Sequence, residues 1–190
     1  MSGSSCNMTC KQLFRCRQPS WTRLLLVLLS GLLCGLPYRS VRAEAVAEYD
    51  LKAAYLYNFS VFIDWPVLPE DTFNLCLLGP DNFGPALKRL ESKVVHQRPG
   101  SVARLSSLSA LRRCQMLFIH EREAPNMRRI LAELGDAPVL TVTDSPLVQG
   151  TMIALAIEES RLVFDIALNR MRAAGLSPRA KLLPLARNLR

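Results

Sequence analysis

Two cysteines, Cys76 and Cys114, and two histidines, His96 and His120, are the side chains of the 44–190 stretch best suited to covalent or ligating chemistry. Each cysteine lies in or at the start of an apolar run, FNLCLL or CQMLFI. If those runs are neighbouring strands the sulfurs can meet, and closing a loop of this length would remove unfolded-chain entropy worth roughly 4 kcal/mol. The alternative is two buried free thiols packed as small hydrophobes, because parallel strands do not by themselves guarantee the Cα separation that a disulfide needs. A catalytic redox pair more often shows Cys-x-x-Cys, and the apolar neighbours Leu75, Leu77 and Met116 oppose an exposed thiolate. The pair therefore reads as structural or redox-tuned.

The histidines make no His-x-His, His-x-x-x-His or clustered Cys/His pattern, so no metal site is expected. His120-Glu121-Arg122-Glu123 follows an apolar run, at the strand end where open α/β sheets bind ligands, and it also reads as a mixed-charge surface loop. Gly79-Pro80-Asp81-Asn82-Phe83-Gly84 lies where a phosphate loop would, but it lacks the glycine pattern of a dinucleotide site and the Lys-Ser/Thr of a P-loop. Pro80 also has no backbone donor, so the segment reads as a turn with Asp81 or Asn82 capping a helix. No Gly-x-Ser-x-Gly elbow occurs and the carboxylates are dispersed. Neither an enzyme nor a bound cofactor is expected.

Residues 24–36, LLLVLLSGLLCGL, change how the composition is read. The run is well short of the roughly 20 residues that a spanning helix needs. Lys11, Arg15, Arg17 and Arg23 precede it, and Val41 and Ala43 stand at the small-residue positions before a cut. Residues 1–43 are expected to be a removed signal peptide and residues 44–190 a single exported domain; an uncleaved anchor is the alternative. A lipid anchor fits poorly, since Cys34 follows Leu32-Leu33. The leader holds Lys11, Arg15, Arg17, Arg23, Arg39 and Arg42 of the 24 cations and none of the 16 anions. What remains is nearly neutral and lacks the clustered cations that phosphate binding requires, so no nucleic-acid partner is expected. Cys6, Cys10, Cys16 and Cys34 leave with the leader, and an even pair in an exported domain suits a disulfide.

The elements that would position these residues follow from hydrophobic periodicity. A helix is predicted over 45–63, with Leu51, Tyr55, Phe59 and Phe62 on one stripe and Val46, Tyr49, Ala53 and Leu56 beside it, stopped by Asp64-Trp65-Pro66. Strands are predicted over 73–78, 114–119 and 138–142, with a more polar edge strand within 93–105. Helices are expected over about 82–91, over 107–113 capped by Ser106 or Ser107, and over 124–134 up to Gly135. After Asp144 the pattern changes. Met152 to Ile157 and Leu162 to Ile166 read as an antiparallel hairpin turned by Glu158-Glu159-Ser160-Arg161. A helix over 167–174 stops at Gly175, and a last helix from about Pro178 is expected to carry Leu182, Leu183, Leu185 and Leu189. The fold class is thus three-layer α/β: a mainly parallel sheet of five or six strands flanked by helices, with a C-terminal antiparallel hairpin.

Taken in order, EYDLKAAYLYNFSVFIDWP, FNLCLLGPDNFG, RCQMLFI, PVLTVTD, GTMIALAIEESRLVFDIAL and AAGLSPRAKLLPLA resemble the YfiR family of small periplasmic proteins across nearly all of the 44–190 stretch. The resemblance implies a non-enzymatic regulator that binds the periplasmic sensor part of an inner-membrane diguanylate cyclase, holds down cyclic di-GMP synthesis and so controls biofilm. It also implies that an outer-membrane, peptidoglycan-associated lipoprotein can pull the protein away, that homodimers can form, and that Cys76 and Cys114 correspond to redox-sensitive cysteines. A second cysteine pair of some members has no counterpart here. The usual Gly-Gly before the hairpin is Gln149-Gly150, and the usual Ile-Asn after the Phe is Ile166-Ala167.

Partner binding is assigned to the C-terminal region, to Arg170, Leu176, Leu182, Leu185 and Arg187, because interfaces combine apolar anchors with arginine. Core packing is the competing reading for its leucines. The alternative function is a periplasmic small-molecule binding module built on the strand ends near Gly79, His120 and Asp144. A thiol oxidoreductase is a third reading.

Overall fold

The computed structural model describes residues 41–69 and 71–190, so residues 1–40 of the expected leader lie outside the described residues. Helix α1 (Val41–Phe62) leads into the short strand β1 (Ile63–Asp64) and the buried Trp65. Strand β2 (Phe73–Leu78) and helix α2 (Pro85–Glu91) follow. The helix opens at Pro85 rather than near Asn82 because Asp81 Oδ1 accepts the Phe83 N–H at 2.8 Å and the Gly84 N–H at 3.2 Å, which holds the entry as a turn. Strands β3 (Val94–Val95) and β4 (Arg98–Leu105) form a hairpin whose turn residues His96 and Gln97 both take positive φ, 47° and 67°.

A 3-10 helix (Leu108–Arg113), capped by Ser107, leads to β5 (Met116–Ile119). A second 3-10 turn (Glu121–Asn126) runs into α3 (Met127–Leu134) and then β6 (Leu140–Thr143). The C-terminal part comprises β7 (Ile153–Glu158), β8 (Arg161–Ile166), α4 (Leu168–Ala173), β9 (Ser177–Pro178), a 3-10 turn (Leu183–Leu185) and β10 (Asn188–Leu189).

The main sheet runs β10-β8-β7-β6-β5-β2-β4-β3. Strands β4, β2, β5, β6 and β7 are mutually parallel, and β8 returns antiparallel to β7. The six strands of four residues or more make the expected five- or six-stranded, mainly parallel α/β sheet with its late hairpin. Two-residue pieces extend both edges, and β1 pairs β9 in a separate ribbon. No described helix is long and apolar enough to cross a membrane.

Alternate residues of the strands enter two cores. On one face Phe73, Leu75, Leu77, Met116, Phe118, Leu155, Phe164 and Ile166 pack against Leu56 and Phe59 of α1 and Leu87 of α2. On the other, Cys76, Leu78, Leu117 and Ile119 pack against Leu111, Met127, Ile130 and Leu134. Each such side chain contributes about 1.5–3 kcal/mol by leaving water. Ala53, Leu56 and Phe59 of the predicted face of α1 are buried, but Leu51 is 45% exposed while its neighbour Lys52 is 5% exposed. Lys52 can be buried because its ammonium meets the Asp144 carboxylate at 2.6 Å and also the Glu48 carboxylate.

The last predicted helix does not form. Pro184 cannot donate a helical hydrogen bond, and the chain instead crosses the end of the hairpin as a strap. Arg187 N–H donates to Phe164 O at 2.8 Å and Arg190 N–H to Ile166 O at 2.8 Å, so β10 adds a parallel strand beside β8. Its leucine spacing imitates an amphipathic helix, yet Leu182 enters the core, Leu183 is half-buried and Leu185 is 69% exposed.

Candidate functional site

The connection between β6 and β7 decides which surface stays open. Parallel strands are ordinarily joined by a helical crossover of a dozen or more residues, and the β5-to-β6 passage supplies one in α3. Residues 144–152 are too few. They form a loop held by Thr143 Oγ1, which accepts the Ser145 N–H at 3.2 Å, by Ser145 Oγ, which accepts the Leu147 N–H at 3.2 Å, and by Thr141 Oγ1, which accepts the Met152 N–H at 2.9 Å. Hence α1 covers the Leu155 and Phe164 side of the hairpin, and no described helix covers the side carrying Ala154, Ala156, Val163 and Asp165.

Over that uncovered side lies a groove of about 930 Å³. Ala154, opposite Asp165 in the hairpin register, and Ala156, opposite Val163, keep its floor low. The 144–152 loop forms one wall, and Arg170, Arg187 and Arg190 stand on the other side. Asp165, 5% exposed, organises that side. Its carboxylate accepts from Arg187 Nε at 2.9 Å and Nη2 at 2.7 Å, from Asn188 Nδ2 at 2.9 Å and from Arg190 Nη2 at 2.7 Å. The Arg187 guanidinium, with Asn188 and Arg190, holds Asp165 far below the usual carboxylate range against the opposing effect of burial. Arg187 also meets Glu158 at the end of β7. Tyr55 OH donates to Leu162 O at 3.1 Å, which occupies the next acceptor on the outer edge of β8.

The C-terminal residues expected to bind a partner divide accordingly. Leu176 (1% exposed) and Leu182 (3%) belong to the core and offer no partner contact, which corrects the expectation for both. Arg170 and Arg187 line the groove, and Leu185 is an exposed apolar residue of the strap. Asp165, Asn188 and Arg190 were not singled out from sequence; a carboxylate interrupting the apolar run LVFDI is the signal that marks Asp165.

The strand ends proposed for a small molecule do converge, but onto the protein's own side chains. His120 Nδ1 accepts the Arg122 N–H at 3.1 Å, and its Nε2 lies 3.1 Å from Nδ2 of the Asn82 side-chain amide. That amide is 3.0 Å from Tyr49 OH, and Tyr49 OH in turn donates to Asp144 at 3.3 Å. Burial raises the Tyr49 hydroxyl above its ordinary value. Burial alone would lower the Lys52 ammonium, but its bonds to Asp144 and Glu48 outweigh it and leave the group raised. Gly79, at φ +96°, lies so close to His120 that a Cβ there would come within 2.8 Å of the His120 Cβ. Asp81, paired with Arg104, already accepts the Phe83 and Gly84 N–H groups that a phosphate cradle at the entry to α2 would use. His96 is structural: its Nε2 is 2.9 Å from Ser60 O and 3.1 Å from Ile63 O, which ties the β3–β4 turn to the end of α1. No cluster of potential metal ligands occurs among the described residues.

Cys76, in β2, and Cys114, just before the neighbouring β5, form a disulfide with their Cα atoms 5.9 Å apart. Both lie in the second core at 2% exposure.

No curated protein sequence matches the chain. Among solved structures, it is similar to an ABC domain in complex with L-Trp from Streptococcus pneumonia, with 7% identity and a TM-score of 0.45, over 62% of this chain and 56% of that one. It is also similar to a conserved domain protein from Vibrio cholerae, with 9% identity and a TM-score of 0.47, over 73% of this chain and 60% of that one. The chain thus covers less than two thirds of each, and both similarities are too distant to bear on function. Residues 49–187 match the family model described as YfiR/HmsC-like.

Proposed function

Because the chain belongs to the YfiR/HmsC-like family, whose role is regulation of diguanylate cyclases from the periplasm, we propose that it binds the periplasmic sensor domain of an inner-membrane diguanylate cyclase and lowers cyclic di-GMP synthesis by contact. It acts as a regulator and not as an enzyme, and it reaches the periplasm through removal of residues 1–43. An outer-membrane, peptidoglycan-associated lipoprotein relieves the inhibition by competing for it, and homodimer formation belongs to the same reading. The single observation that carries the proposal is the family match across residues 49–187. The open, arginine-walled side of the hairpin is compatible with it, being a face on which a partner can close.

The Cys76–Cys114 disulfide gives this regulator a redox dependence: reduction loosens the join between β2 and β5 and with it the platform on which the hairpin stands. The small-molecule alternative is weaker at the strand ends named for it, because Tyr49, Lys52 and Asn82 already pair there with Asp144 and His120.

The test is a gene deletion combined with calorimetry between the oxidised protein and the purified sensor domain. Cyclic di-GMP and biofilm should rise in the deletion strain, and binding should be saturable and weakened by reductant. Unchanged nucleotide levels together with no heat of binding would overturn the proposal.

A further inference from the structure

The charge around the groove is unevenly satisfied. Asp144 is held by Lys52, and Asp165 by Arg187, Asn188 and Arg190. Arg187 divides its guanidinium between Asp165 and Glu158. Arg190 uses one nitrogen on Asp165 while its side chain remains 70% exposed. Arg170, exposed on α4, has no carboxylate within ion-pair distance among the described residues. It stands beside Gly150, where a Cβ would lie 3.9 Å from both terminal guanidinium nitrogens and 2.9 Å from Leu131 Cδ1. The positive excess therefore sits with Arg170 and Arg190. The floor between the walls is alanine, Ala154 and Ala156.

We propose that this groove receives an acidic segment of the protein partner, with carboxylate side chains paired to Arg170 and Arg190 and a small or apolar residue seated over Ala154 and Ala156. The inference rests on the regulator reading above and names the chemistry of the contact. Two features favour a protein segment over a free metabolite. The groove follows β7 from Met152 to Ile157, about 17 Å at the rise of a strand, which suits a stretch of chain. It lies open along its length instead of enclosing a ligand. Because Asp165 fixes the direction of Arg190, part of the ordering cost of binding is met before the partner arrives.

Calorimetry of the oxidised chain with the purified cyclase sensor domain, at low and at physiological salt, tests this. R170E should weaken binding by about tenfold and reduce its salt dependence, as loss of a charge pair across an interface does. R190A should weaken it less. A156W, which raises the floor without changing charge, should weaken it as well, and R129E on α3 should have no effect. Circular dichroism should show R170E, A156W and R129E folded with unchanged melting, since Arg170 and Ala156 make no side-chain hydrogen bond that the fold needs, and R190A folded with a slightly lowered melting temperature, since it loses one hydrogen bond to Asp165. Undiminished binding by both R170E and A156W would overturn the groove while leaving the regulator reading intact. Absence of binding by the wild-type chain would overturn both. Saturable binding of free succinate or aspartate that is lost in R170E, without any binding of the sensor domain, would also overturn the protein-segment proposal.

Discussion

The two halves of the sheet are built to different standards. Strands β2, β5 and β6 are covered on both faces, by α1 and α2 on one side and by α3 with its 3-10 turns on the other, and a disulfide crosses between β2 and the start of β5. The β7–β8 hairpin belongs to the same sheet but is covered on one face only, and a strap of two paired residues closes its edge. Both halves carry apolar strands, so hydrophobicity does not separate them. The length of the incoming connection does: a helix fits between β5 and β6, and only a loop fits between β6 and β7. A fold can thus keep a face open for recognition by shortening one crossover, without exposing a strand that its core needs.

The largest expected effect tests the doubly covered half. Removing the cystine, by reductant or by C76A with C114A, should lower stability by about 4 kcal/mol for a loop of this length, seen as a lower urea midpoint with a steeper slope, because the unfolded chain without its cross-link exposes more surface. A negligible shift would mean that the disulfide adds nothing to an already closed half. Next, Asp144→Ala should cost roughly 3 kcal/mol, because it takes the principal partner from a buried ammonium. Lys52→Met combined with Asp144→Ala should recover part of that loss. If the double variant is as unstable as the single, the cluster is a packing feature and not an ion pair.

The closed half was the more legible from sequence. FNLCLL and CQMLFI are continuous apolar runs because both faces of those strands are buried, and the strands stand where the runs predict. The phase of α1 was legible at Ala53, Leu56 and Phe59 but not at its start, where a hydropathy pattern assigns Leu51 inward and Lys52 outward; Asp144, 92 residues along the chain from Lys52, reverses them. The C-terminal strap was misread for a related reason. Leu182, Leu183, Leu185 and Leu189 fit a helical stripe, and Pro184 alone argues against it. The candidate site was legible in part: Arg170 and Arg187 follow from composition, but the role of Asp165 depends on a contact made 22 residues later. Pairing across such distances leaves no periodic trace.

Asp165 distinguishes the halves by pH. Its carboxyl is depressed in the folded chain from an ordinary value of 3.8. The stability it contributes is therefore complete above that value and is lost progressively as pH falls below it toward the folded value. Asp165→Asn should cost roughly 2 kcal/mol at neutral pH through weakened charged hydrogen bonds, and it should flatten the acid limb of the stability curve below about pH 4. Amide exchange should speed first at Arg187 and Arg190, whose N–H groups donate to β8. Equal protection loss in β2 and β5 would show the strap and the closed half to be one cooperative unit.

The smallest stability effect carries the sharpest functional contrast. Leu185 is 69% exposed on the strap that edges the hairpin, so Leu185→Ser should change folding stability by no more than about 0.5 kcal/mol. In a complex that closes over the hairpin, the same truncation removes an apolar contact from a surface that becomes desolvated, at a cost of about 1 kcal/mol in binding. The corresponding change inside the closed half, Leu117→Ala, should behave in the opposite way. It should lower stability by about 2–5 kcal/mol and leave the intrinsic affinity of the remaining folded molecules unchanged. Binding measured by calorimetry and unfolding measured in urea on the same two variants separates the cases. If Leu185→Ser binds as the wild type does while Leu117→Ala binds weakly even when fully folded, recognition resides in the covered half and the open face is only a by-product of a short connection.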